Sequence, residues 1–158
     1  MRAQMESKLR EIIKFSECIQ KEKWIDEIER QDWSAAKFLS GLLRESQLLK
    51  TLGNGAELYI TADGEKLVSF AVLSPKDAIN DDSLTPWIGF IYTAPEYRGN
   101  RESGRLIDYL CEIARDKDYK KVYLCTDHIG LYEKYGFIYM ENRIDVWGED
   151  SRIYFRNL

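Results

Sequence analysis

Apolar positions change their period several times along the chain, and each change marks an element. Leu106, Ile107, Leu110, Cys111, Ile113 and Ala114 recur at the spacing of one helical face, while Arg105, Asp108, Glu112, Arg115 and Asp116 fall on the other. This predicts an amphipathic helix. Ahead of it, Trp87–Thr93 is short, aromatic and β-branched, and Pro95 closes it because proline offers no ladder donor, so it reads as a buried strand. Glu57–Thr61 and Lys66–Leu73 flank Asp63-Gly64 and predict an antiparallel hairpin. Lys121–Cys125 is a further strand, and its helical connection to Trp87–Thr93 predicts a parallel crossover. Gly130–Tyr135 predicts one or two helical turns that stop at Gly136. Phe137–Asp145 and Ser151–Arg156 then read as two strands joined by a Gly148-Glu149-Asp150 turn. Between the hairpin and the Trp87 strand, Ser74–Thr85 has no periodicity and predicts a surface loop with Asp77, Asp81 and Asp82 in solvent.

The first fifty residues are less regular. Met5, Leu9, Ile12 and Ile13 trace a helical stripe, yet Leu9–Phe15 fits a short strand as well, and the pattern does not separate the two. Trp24, Ile25 and Ile28 continue with helical spacing to Gln31. Asp32 or Ser34 then serves as N-cap to a helix carrying Ala35, Phe38, Leu39, Leu42 and Leu43, which Gly53-Asn54-Gly55 brings to an end. Trp24, Trp33 and Trp87 are expected in the core, and Cys125 is expected as a buried strand thiol. The expected organisation is one mixed α/β domain over residues 1–158, helical over about 1–52 and sheet-based over about 55–158.

Composition narrows the function. With 44% hydrophobic and 13% aromatic residues in 158, the chain has enough apolar side chains for a folded core. A net charge of −4 argues against a nucleic-acid partner. No run approaches the roughly 18 apolar residues of a membrane span, and Met1–Arg10 is too polar for a secretory signal, which points to a cytoplasmic protein. Cys18, Cys111 and Cys125 are odd in number and lack metal-ligand spacing, and His128 is the one histidine, so no metal site is expected.

The chemistry concentrates between the Trp87 strand and the helix that follows. Pro95-Glu96-Tyr97-Arg98-Gly99-Asn100-Arg101-Glu102-Ser103-Gly104 places glycines and small polar residues where a first helical turn has N–H groups without internal partners. Several donors and the positive end of a helix dipole then converge, which suits a phosphate. The turn lacks the Gly-Lys-Ser/Thr ending of a nucleotide P-loop.

Thr93–Gly104 resembles the acetyl-CoA motif of the GCN5-related N-acetyltransferase family, and Leu131-Tyr132-Glu133-Lys134-Tyr135-Gly136-Phe137 is similar to its later Leu-Tyr-Glu-Lys-x-Gly-Phe motif. The resemblance covers roughly residues 55–158. It implies a central, mostly antiparallel sheet splayed around one parallel strand pair. It further implies that Arg98, Gly99, Asn100, Arg101, Glu102 and Ser103 wrap the CoA pyrophosphate, while Ile91, Tyr92 and Thr93 hold the pantetheine arm by their main chain. Tyr132 matches the position of the general acid. Acetyl-CoA is thus the expected co-substrate, and a small-molecule or peptide amine the expected acceptor of a monomer or homodimer.

Two departures stand out. Arg101 occupies a position where the family prefers glycine, so its side chain either lies away from the diphosphate path or joins it as a second cation. The asparagine that contacts the cofactor in many members is missing from Leu124–Gly130, where Thr126 or His128 is the available replacement. The Trp87 strand carries no carboxylate, which leaves Asp127, His128 or water to take the amine's proton, with Asp127 and His128 bordering the pocket. A catalytically silent CoA-binding or protein-interaction module on the same fold is the alternative.

Overall fold

The computed structural model describes residues 10–158. A seven-stranded sheet runs β1-β2-β3-β4-β5-β7-β6, formed by β1 (Glu11–Lys14), β2 (Glu57–Asp63), β3 (Lys66–Ser74), β4 (Trp87–Thr93), β5 (Lys121–Thr126), β6 (Ile138–Ile144) and β7 (Asp150–Asn157). Among the described residues only the β4–β5 pairing is parallel, as the helical crossover between them requires. The four helices among these residues are α1 (Lys21–Glu29), α2 (Ser34–Arg44), α3 (Leu48–Leu52) and α4 (Glu102–Asp116).

Each face of the sheet is covered by a different set of helices. On one face Trp24, Ile25 and Ile28 of α1 and Ala36 and Leu39 of α2 pack with Leu58, Ile60, Phe70 and Val72. On the other, Leu106, Ile107, Leu110 and Ala114 of α4 pack with Ala71, Leu73, Ile88 and Leu124. The apolar stripe of the sequence is therefore the buried stripe of α4, each fully covered Leu or Ile contributing about 1.5–3 kcal/mol of transfer free energy.

Several expectations need correction. The ambiguous segment is a strand, β1, paired antiparallel with β2 and followed by a 3-10 turn at Phe15–Glu17; Met5 and Leu9 lie outside the described residues. Neither Asp32 nor Ser34 caps α2 through its side chain, because Trp33 occupies the N-cap and Ser34 already belongs to the helix. The buried face of α2 is Ala36, Leu39 and Ser40, with Phe38 turned outward, and Trp33 is only partly covered. The segment between β3 and β4 is not a solvated loop. Ala78, Ile79 and Leu84 are buried, the last two against Trp87 and Ile153, and Asp81 pairs with Arg143 Nη1 at 2.6 Å.

One irregularity positions everything that follows. Phe70 pairs with Tyr92 but Val72 with Gly89, so β4 carries one residue more than β3 over that interval, and Phe90 within it has φ +54°. An extra residue bends the bulged strand and increases its twist. Pairing between β4 and β5 is registered only at Trp87–Tyr123, and beyond it the strands part.

Candidate active site

Where β4 and β5 diverge, Tyr92 and Thr93 have ladder partners on β3, but no residue of Ile91–Thr93 is registered on β5, leaving that side open. A cavity of about 450 Å³ fills the opening. Ile91, Tyr92, Thr93, Arg98, Gly99, Arg101, Glu102, Ser103, His128 and Tyr132 all line it, so two segments far apart in sequence meet as expected. Asn100 does not line it; its side chain turns back toward the Tyr97 carbonyl, and its own carbonyl accepts from Arg105.

The turn into α4 follows from its residues. Gly99 adopts φ +88°, where a side chain is strained, and the space a Cβ would enter there is open. The first helical bond runs from the Arg105 N–H to the Arg101 carbonyl at 3.0 Å, so the N–H groups of Glu102, Ser103 and Gly104 precede any helical partner. These donors and the dipole behind them give the cavity an anion-binding end. Thr93 Oγ1 and Ser103 Oγ, 2.6 Å apart, tie the end of β4 to this turn.

The charged side chains of the loop are already engaged. Arg98 Nε donates to the Thr93 carbonyl at 2.8 Å and its guanidinium lies over the Tyr92 ring. Arg101, in the left-handed conformation at φ +60°, lays its guanidinium 5.1 Å from the centre of the Tyr135 ring. Glu102 is buried in an ion pair with Arg10 and lies 3.4 Å from Arg105, so it faces the cavity with its backbone rather than as a free carboxylate.

At the opposite end stands Tyr132, in the 3-10 turn Tyr132–Tyr135, largely buried and with its ring edge-on to those of His128, Tyr135 and Phe137. Burial pushes its phenol up to about 12, with Tyr135 and Asp127 adding to the shift, so it holds its proton at neutral pH. No described residue hydrogen-bonds the hydroxyl, which is left to donate into the cavity.

A second cavity of about 220 Å³ adjoins the first, and Trp33, Ile91, His128 and Tyr132 border both. Asp127 lines only this smaller one, with Gly89, Phe90 and Cys125. Three lining residues, Asp32, Trp33 and Tyr135, were missed by sequence reasoning. Asp32 and Trp33, from the α1–α2 connection, close over the split, and Trp33 stacks on Tyr92 at 5.2 Å. Tyr135 lies against α4, where a Cβ on Gly104 would come within 2.7 Å of its ring. Asp77 lines neither cavity but lies against Gly89, its Oδ2 occupying the place a side chain there would take. A glycine inside a strand is a sign of such close approach, and Gly89 was that sign.

Residues 20–137 match the model of the acetyltransferase (GNAT) family. Among curated proteins, none matches the chain. The fold is similar to that of a GNAT family acetyltransferase from Elizabethkingia anophelis with acetyl-CoA bound, at 21% identity over 94% of this chain and 97% of that one, with a TM-score of 0.65. It is likewise similar to an aminoglycoside 6'-N-acetyltransferase complexed with coenzyme A, at 15% identity over 93% and 96% of the two chains and a TM-score of 0.68. An acetyltransferase from Streptococcus agalactiae aligns at 21% identity over 94% and 98%, with a TM-score of 0.66. At these identities the likeness is one of fold.

Proposed function

The chain belongs to the GNAT acetyltransferase family, and from that premise we propose that it transfers an acetyl group from acetyl-CoA directly to a primary amine. The observation that carries the reading is the split itself. An anion-binding helix start, an unpaired strand edge and a free tyrosine hydroxyl line one cavity in the order that a diphosphate, an amide-bearing arm and a thioester occur along CoA. The ligands of the E. anophelis and aminoglycoside 6'-N-acetyltransferase structures support the same co-substrate.

The residues fit that ligand. The N–H groups of Gly99, Arg101, Glu102 and Ser103 with Arg98 hold the diphosphate, and the open main chain of Ile91–Thr93 pairs with the amides of the pantetheine arm. When bound, acetyl-CoA supplies an acyl carbon activated as a thioester. The β4 main chain offers an N–H to the charge that develops on the carbonyl oxygen. Tyr132 acts as general acid toward the departing sulfur. Its raised pKa makes the hydrogen bond to the forming thiolate the larger part of its effect, with proton transfer completing it. The acceptor enters through the smaller cavity, beside Asp127 and His128. Outside that cavity Phe38 stacks near Phe90 and meets Trp147 edge-on, which favours an acceptor whose amine is attached to an apolar body.

The test is release of free thiol from acetyl-CoA across a panel of primary amines, with the acetylated product identified by mass. Amine-dependent thiol release supports the reading. Tight CoA binding without turnover of any amine would leave a silent CoA-binding module in its place.

A further inference from the structure

The Trp87 strand has no carboxylate of its own, but it has a carboxylate on it. Asp77, ten residues ahead of the strand's first residue Trp87 and held in the β3–β4 connection, places Oδ2 2.1 Å from where a Cβ on Gly89 would stand. The two oxygens differ. Oδ1 accepts the Ala78 N–H at 2.6 Å and faces Cys125 Sγ at 3.9 Å, whereas Oδ2 has no hydrogen-bond partner among the described residues and is not sealed from solvent. The unpartnered oxygen is thus the one that lies against Gly89, and Gly89 lines the acceptor-side cavity together with Cys125, which faces Oδ1.

The connection holding Asp77 is fixed at several points. Thr85 Oγ1 donates to the Pro75 carbonyl at 3.0 Å, the Val146 N–H donates to the Ala78 carbonyl at 2.8 Å, and Asp81 pairs with Arg143. These contacts hold the connection, and with it Asp77, in place over Gly89, with no cation paired to its carboxylate among the described residues. We propose that Asp77 is the proton acceptor for the incoming amine, supplied to β4 from the neighbouring connection through the gap left by Gly89. This rests on the acetyl-transfer reading and assigns a group that reading leaves open.

The acceptor's ammonium gives one proton to Asp77 Oδ2, and the freed lone pair forms the C–N bond to the thioester carbon. The C–S bond breaks with its electron pair on sulfur, and the nitrogen's second proton is made up at sulfur, giving amide and free thiol. The proton on Asp77 then passes to solvent, the one proton released overall. Burial lifts the Asp77 carboxyl to about 6, opposed by the Ala78 N–H and Cys125, which suits a base working near neutrality. Cys125 is the titratable group facing it. Burial foremost, then Asp77 and Asp145, raise that thiol so far that it stays protonated.

The experiment compares wild type, Asp77→Asn, Gly89→Ala and His128→Gln in kcat/KM against pH, with CoA binding by calorimetry and a carboxyl-carbon NMR titration of Asp77. With Asp77 taking the proton, wild-type kcat/KM rises through about pH 6 and is level up to the amine's own pKa. Asp77→Asn instead climbs about tenfold per pH unit with the neutral amine, starting about 10²–10⁴-fold lower at neutral pH and converging as the amine deprotonates unaided. Gly89→Ala, whose Cβ displaces the carboxylate, follows Asp77→Asn, whereas His128→Gln, whatever its effect on rate, keeps the rise through about pH 6. CoA affinity is unchanged in Asp77→Asn. An Asp77→Asn profile parallel to wild type, or an NMR midpoint in the ordinary carboxylate range, overturns the inference even without turnover. Absence of CoA binding in the wild type overturns the transfer reading, and this inference with it.

Discussion

Replacing Asp77 by asparagine keeps the side chain's outline and its acceptor for the Ala78 N–H, and removes only the charge. Burial raises the carboxyl from its ordinary 3.8 to about 6. Between those values the folded chain binds more protons at this site than the unfolded chain, so stability falls as pH rises through the interval and stays reduced above it. The full cost of ionising the buried group is bounded by the shift of about two pH units at 1.36 kcal/mol each, or about 3 kcal/mol. The asparagine variant lacks this cost. At about pH 4 the two proteins should melt together; at about pH 8 the variant should be the more stable by up to that amount, roughly 6–10 °C in Tm for a chain of this size. Thermal melting of both proteins across this range checks it, since every other carboxylate titrates in both and cancels in the difference. A melting difference independent of pH would refute the assignment of a buried, unpaired carboxylate at Asp77.

Two further outcomes follow from the cavity. Tyr132→Phe keeps the ring among His128, Tyr135 and Phe137 and deletes the hydroxyl, so CoA affinity should hold while kcat falls about 10²-fold, the low end for general acid catalysis given a phenol lifted to about 12; unchanged kcat under chemistry-limited conditions would return Tyr132 to packing. Arg101→Gly removes a left-handed residue costing about 1–2 kcal/mol and forfeits its contact with the Tyr135 ring and some unfolded-state entropy, so Tm should move little and CoA affinity should hold; a loss of about tenfold or more in calorimetry would make Arg101 a ligand of the diphosphate.

What could be read in the sequence was what is local. The stripe of Leu106, Ile107 and Leu110 and the run Trp87–Thr93 announce themselves by period, and the loop between them by glycines whose backbone freedom the turn uses. Gly99 at φ +88° is such a case. Leu9–Phe15 was ambiguous because so short a run does not let period 2 and period 3.6 diverge, and the strand state of Glu11–Lys14 within it is set by pairing with β2. Trp33 and Asp77 were misread for a common reason. An indole before a helix looks like core, and an aspartate in an aperiodic stretch looks solvated, until the fold brings the first over Tyr92 and the second over Gly89. Those contacts join segments roughly sixty and twelve residues apart, and no local pattern encodes them. The split between β4 and β5 belongs to the same class, since it depends on the register shift opposite Phe70 and Val72.

The central claim is that the opening beside Ile91–Thr93, capped by the start of α4, holds acetyl-CoA. Isothermal titration of the purified chain with acetyl-CoA measures this directly. The account predicts saturable binding of about one equivalent with a dissociation constant well below millimolar, accompanied by a rise in Tm that grows with ligand concentration. No binding heat and no stabilisation at about millimolar acetyl-CoA would contradict it.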